Sequence, residues 1–313
     1  MQTNVSVAAD PAAEANMKKR NTLTIGDQLK SYARHPGAGV LAFLTLLGAV
    51  ITFALLFFLI GYVLVKGIPY LNASLFSLTY TSENVSLLPS LINTLIMTLV
   101  SLAIAAPVGI FAAIFLVEYA KKGSRFVKLI RITAETLSGI PSIIFGMFGM
   151  MFFGTGLGLG YSILTGSLTL TLMVLPLITR NTQEALKTVP DSYRSGALGM
   201  GATKWYMIRT VLLPSAMPGI ITGVILAIGR IVGESAALLF TAGSGYLLPK
   251  SGIGFLKKIL ESGGTLTIQL YLSMAKAEYS TAFGIATVLL VIVLVINWLT
   301  KVLSRKLDVT RAE

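Results

Sequence analysis

The chain has no cysteine and a single histidine, His35, which lies beside Pro36. Disulfides and thiolate chemistry are therefore excluded. With one imidazole in an N-terminal tail, neither a Ser/His/Asp triad nor a histidine-based metal centre can be assembled. Charge is also scarce: Asp, Glu, Lys and Arg make up 12% of 313 residues, where soluble domains carry about 25%. Acidic residues are the scarcest, 13 against 25 Lys and Arg, giving a formal net charge of +12. No G-x-x-x-x-G-K-[ST] phosphate loop occurs, so the chain is expected to bind no nucleotide, metal or cofactor of its own.

What fills the sequence instead is apolar: 54% of the residues are hydrophobic, more than a water-solvated fold can bury, so the expected solvent is lipid. The positive charges sit in the gaps between apolar runs and form no face for nucleic acid. Residues 1–39 read as a polar cytosolic tail without the apolar core of a signal peptide, with an interfacial helix near Thr24–Arg34. Six spans are expected: Val40–Val65, Ser90–Val117, Leu129–Phe153, Tyr161–Thr179, Ala216–Phe240 and Thr281–Leu299, most of them near or above the roughly 20 residues a crossing needs. The domain from 40 to 303 is then an all-α membrane bundle, and 304–313 a second cytosolic tail. Nineteen Lys and Arg fall in alternate connections that include both tails and five in the others, Lys66, Lys250, Lys257, Lys258 and Lys276. That asymmetry places both termini in the cytosol of a multi-pass plasma (inner) membrane protein.

Between the fourth and fifth spans, residues 180–214 form an unusual loop. Arg180–Val189 has the composition of a short helix ended by Pro190. Asp191 is expected to cap a helix to about Gly199, Gly199 and Gly201 form a hinge, and Thr203 caps a second helix running to Leu213. Pro214 and Pro218 mark re-entry into the bilayer. Interleaved apolar residues (Ala197, Leu198, Met200, Trp205) suit a helix that docks in a partner's groove.

Gly201, nine residues and then Val211–Leu–Leu–Pro214 resembles the EAA loop of ATP-binding-cassette (ABC) importer permeases. Ser195 stands where that family usually has Glu, Gly196 replaces the first Ala and Val211 replaces Ile. ETLSGIPSIIFG (135–146), LPLITRNTQEALKTVP (175–190) and GVILAIGRIVGESAALLF (223–240) are similar to the PstA-type permease of the phosphate importer, over roughly residues 91–303. The resemblance implies a six-helix type I permease bundle with a cytosolic coupling helix. It also implies a PstC-like permease partner, two ATPase subunits carrying ATP and Mg, and an extracytoplasmic phosphate-binding protein. The PstC-type paralogue and permeases for sulfate, molybdate or phosphonate share the loop and stay open as alternatives, with an ion-coupled secondary transporter further off.

Candidate coupling residues are Ser195, Gly196, Ala197, Gly201, Lys204 and Pro214, with Ala197 and Gly201 expected at the closest approach to the ATPase. Candidate pathway residues are Arg230 and Glu234, four apart in the fifth span and so on one helix face, and Arg180 where the fourth span meets the loop. Arg131 and Glu135 repeat the spacing at the mouth of the third. The glycine-rich stretch Thr241–Tyr279 is expected either to form an outer gate and landing surface or to cap the bundle.

Overall fold

The computed structural model describes residues 36–78, 85–121, 123–245 and 252–307. The expected interfacial helix near Thr24–Arg34 and most of both tails lie outside them. Among the described residues all regular structure is helical. Five helices are long and apolar enough to cross a membrane, and one bent pair makes a sixth crossing if its arms count together.

In chain order these are α1 (Pro36–Gly67), α2 (Leu88–Ile114, prolonged by a π-turn at Phe115–Tyr119), α3 (Arg125–Gly139) and α4 (Ser142–Gly149, prolonged by a π-turn at Met150–Gly156). There follow α5 (Ile163–Thr188), α6 (Asp191–Gly199), α7 (Lys204–Met207) and α8 (Leu213–Val232), with a π-turn, Ile208–Leu212, joining α7 to α8. The chain ends with α9 (Ala236–Thr241), α10 (Gly252–Ile259), α11 (Leu266–Ala275) and α12 (Tyr279–Leu307).

Helices α1, α2 and α12 contain the expected first, second and sixth spans. The third span is broken where Gly139 and Pro141 stand in the sequence: its two arms bend by 103°, because Pro141 has no N–H and holds Ile140 extended (φ −73°, ψ 132°). Two expectations change. The fourth span and the expected separate helix at 180–189 are one helix, α5; a charge at Arg180 does not interrupt a backbone hydrogen-bond ladder. The fifth span stops at Val232 rather than Phe240, and Gly233–Ser235 break it before α9.

Packing divides the chain after Tyr62. Within the unit from Val63 onward, α5 is the central helix. Leu170, Met173, Val174 and Ile178 from α5 are buried with Met97 and Ala105 of α2, Ala227 and Ile231 of α8, Phe145 of α4 and Leu238 of α9. Lipid supplies no hydrophobic drive between helices, so close packing of small residues and hydroxyl hydrogen bonds must hold them. Ser101 Oγ of α2 donates to Ser167 O of α5 at 3.0 Å, and Thr171 Oγ1 bonds Ser167 O at 2.8 Å and Ser101 O at 3.3 Å. On α8, a Cβ added at Gly219 would meet Ala185 Cβ of α5 at 2.5 Å, and one at Gly223 would meet Asn181 Cβ at 2.6 Å. The two pairs fix an antiparallel register.

The described parts of the Gly-rich stretch, 241–245 and 252–279, pack at the end of the bundle remote from α6. Leu266, Thr267, Ile268 and Gln269 of α11 are buried. Lys258 is only 3% exposed, and its Nζ donates to Ser262 O at 2.9 Å.

Two outcomes are expected. Gly223→Val overpacks the α5–α8 contact at a cost of about 1–3 kcal/mol, read as a lower unfolding midpoint in detergent; an unchanged midpoint contradicts the close approach. Burial pushes the Lys258 ammonium below its usual range, with Glu261 opposing. A depressed base releases its proton in the fold before it does in the unfolded chain. Its contribution to stability therefore rises with pH from the lowered value up to the ordinary lysine range. Lys258→Met should be more stable than the parent at neutral pH, and the gap should close at alkaline pH; a constant gap refutes the assignment.

Candidate functional site

The segment from Pro190 to Pro214 is ordered by backbone chemistry of its own. Pro190, not Asp191, occupies the N-cap of α6, and Asp191 makes no side-chain cap; its carboxylate accepts from Arg194 instead. Gly201 adopts φ +85°, a conformation glycine reaches without strain. Thr203 Oγ1 accepts from Tyr206 N at 3.3 Å and starts α7, as the sequence implies. From Lys204 the helix runs unbroken through Val232, because the π-turn before Pro214 absorbs the missing N–H.

Arg194 ties this segment down. Its Nε and Nη2 each lie 3.0 Å from Glu118 Oε1 in the turn after α2. Its Nη1 donates to Val189 O at 2.8 Å and to Asp191 Oδ1 at 3.1 Å, and Nη2 to Leu186 O at 2.8 Å. One planar guanidinium thus satisfies two carbonyls at the end of α5 while pairing with a carboxylate on α2. The Glu118 side chain is 6% exposed and that of Arg194 19%, so the pair is nearly dry. Lys204 Nζ donates to Glu118 O and stands 4.7 Å from the Tyr119 ring centroid.

The coupling candidates divide. Ala197 is buried with Ile114, Leu186, Met207 and Leu212. The expectation that it approaches a partner is therefore corrected: its small side chain seats α6 on its own bundle. Ser195 is exposed and its Oγ donates back to Asp191 O and Ser192 O, both at 3.2 Å. Gly196 and Gly201 are exposed, and no atom lies within 4 Å of a Cβ added at either. Pro214 is half-buried at the start of α8. Around them Tyr193, Leu198, Met200, Trp205 and Tyr206 face outward, Met200 at 86% exposure.

The pathway candidates also divide. Glu234 lies beyond the end of α8, so it does not share a helix face with Arg230. Its Oε1 accepts from Ala237 N at 3.0 Å and caps α9, while its carbonyl accepts from Thr267 Oγ1 at 2.6 Å. Gly233 releases the helix and makes this possible. Arg230 is half-buried, and among the described residues it has no ion-pair partner. The Gly223–Asn181 register sets Arg230 level with Val174, which puts Arg180 about 9 Å nearer the α6 end along α5. Arg180 pairs with Glu184 at 3.1 Å, both about two-thirds exposed; such a pair is worth about 0.3–0.5 kcal/mol and leaves Arg180 free to move.

Arg180 and Glu184 line a cleft of about 210 Å³ between α3 and α5, together with Arg131, Glu135, Gln183 and Lys187. Arg131 and Glu135 both face it but form no ion pair among the described residues. Sequence reasoning missed Glu118 and Tyr119. Their one local signal is an acidic residue at the end of an apolar run; nothing in the spacing pairs it with Arg194, 76 residues on.

The family described as "Binding-protein-dependent transport system inner membrane component" matches residues 105–309. The chain is 39% identical over 198 residues to the probable ABC transporter permease protein YqgI of Bacillus subtilis, covering 62% of this chain and 67% of that protein. It is 31% identical over 261 residues to the phosphate transport system permease protein PstA 2 of Mycobacterium bovis, covering 81% of this chain and 85% of the relative. Among solved structures, a bacterial alginate ABC transporter in complex with its pentasaccharide-bound periplasmic protein aligns with TM-score 0.66, covering 90% of this chain and 98% of that one; at 18% identity this is a likeness of fold. The chain belongs to the family of binding-protein-dependent transport system inner membrane components, and is a multi-pass ABC importer permease of the PstA type.

Proposed function

We propose that this permease forms half of the anion pathway of an ATP-driven importer for inorganic phosphate, with both termini and the α6–α7 segment in the cytosol. The observation that carries the reading is the α6–α7 segment itself: rigidly joined to two membrane helices, it turns an apolar patch of Tyr193, Leu198, Met200, Trp205 and Tyr206 away from the bundle. An exposed apolar patch on a fixed element is a docking surface. Phosphate as the cargo is supported by relatives that carry phosphate transport in their names and by an arginine at membrane depth, Arg230, with no ion-pair partner among the described residues. The assembly then contains a homologous PstC-like permease, two ATPase subunits that bind ATP and Mg, and an extracytoplasmic phosphate-binding protein. Hydrolysis belongs to the ATPases. Of phosphate, sulfate, molybdate and phosphonate, phosphate should stimulate ATP hydrolysis by the reconstituted complex; stimulation by another oxyanion alone overturns the cargo.

Docking centres on Ser195, Gly196, Gly201 and the aromatic patch, and Lys204 braces the segment from behind. Gly201→Trp should leave the complex assembled but uncouple hydrolysis from uptake. Gly201→Asn, which tolerates a positive φ, should stay coupled. Equal uptake by both variants contradicts docking at Gly201.

For the pathway, Arg230 is the main cation. An arginine at mid-membrane costs about 2.5–3.5 kcal/mol on insertion scales and usually faces the bundle interior or water. Its planar fork suits the oxygens of phosphate. Arg180 follows nearer the cytosol, where its exposed bridge to Glu184 can open for an anion. Glu234 acts on the path by fixing the α8–α9 break beside Arg230. Uptake should be lost in Arg230→Gln with assembly intact, and Arg230→Lys should restore little of it. If Arg230→Gln blocks assembly while Arg230→Leu restores it, the residue is structural.

A further inference from the structure

We infer that α2 is the element that carries motion from the ATPase-docking segment to the opposite end of the bundle, with Glu118 and Asn93 as the positioning residues at its two ends. The inference rests on the importer reading above. At one end, Glu118 holds α6 through Arg194, and the Glu118 carbonyl holds α7 through Lys204. At the other end, Asn93 is fully buried, and its Nδ2 donates to Gly245 O and Gly264 O, each at 3.2 Å. Next to it Thr94 Oγ1 accepts from Leu266 N at 3.1 Å. The two loops that Asn93 grips are themselves joined by Gly264 N donating to Gly245 O at 2.8 Å. From Asn93 to Glu118 the helix is continuous, about 37 Å at 1.5 Å per residue, enough to cross the bilayer.

Helix α5 joins the same two ends, but through its backbone. Helix α2 joins them through side chains, which can release and re-form as a cycle requires. Asn93 bears a mark of such a second arrangement: its Oδ1 is buried with no hydrogen-bond partner among the described residues. A dry, unpaired acceptor is costly, and a shift of the loops that presents an N–H to it would be favoured once the loops are moved. Glu118 has the corresponding property, since its grip on Arg194 is ionic and nearly dry while Asp191, Arg194's other carboxylate, is 92% exposed and can take over the cation.

The test uses the assembled importer with Ser244→Cys as a reporter on the loop beside Gly245. The chain has no cysteine of its own, and the other subunits are made cysteine-free. Labelling by a membrane-impermeant maleimide is followed with and without nucleotide trapped on the ATPases. In the parent the rate should change severalfold on trapping. With Glu118→Ala or Asn93→Ala added, the complex should assemble and trap nucleotide while the labelling rate stays at its resting value. Variants that keep the full change overturn the inference, and so do variants that fail to assemble, which would make both residues structural. An unresponsive parent counts against the importer reading itself; a responsive parent with unaffected variants counts against the role of α2 alone.

Discussion

Everything at the α6 end depends on one guanidinium. Without Arg194, the Glu118 carboxylate would lose its ion-pair partner in a nearly dry site, and removing one partner of such a pair costs about 3–5 kcal/mol, less here because the arginine is partly wetted and Lys204 stands at the Glu118 carbonyl. The same group also satisfies carbonyls at the end of α5, which a helix terminus otherwise leaves unpaired. A lysine has no fork to do this. The α6–α7 segment is therefore a fixed feature of the bundle and not a solvated loop, and a fixed feature is what a docking surface needs.

The rest of the bundle follows from the lack of a hydrophobic drive in lipid. Surfaces must fit closely, so glycine faces Ala185 and Asn181 across the α5–α8 contact, and serine and threonine hydroxyls bond across α2–α5. Packing this close leaves little slack inside the bundle. Among the described residues, two sharp departures from straight helices lie inside the bundle, the bend at Ile140–Pro141 and the break at Gly233–Ser235. The second is closed by Glu234, whose side chain caps one helix while its carbonyl accepts from α11. Chain breaks at membrane depth are acceptable only when neighbouring groups re-satisfy the backbone in this way, and here the neighbours do so beside the arginine assigned to the anion path.

The apolar spans, the uneven distribution of Lys and Arg, the turn at Gly201 and the cap at Thr203 are all local or compositional properties, and the sequence alone determined them. Span length is a sum over neighbours, and a positive φ or an N-cap concerns a few consecutive residues. The family, too, was legible, because the spacing from Gly201 to Pro214 is local. Tertiary structure decided what depends on distant partners or on which of two local tendencies wins. Four-residue spacing promised a shared face for Arg230 and Glu234, but the helix had already ended at Gly233. Ala197 is small and stands between Gly196 and the exposed Leu198, yet it is buried with Ile114 and Leu186. Glu118 meets Arg194 only because α2 and α5 pack side by side. A contact across 76 residues depends on how two helices lie against each other, and no periodicity within either one encodes that.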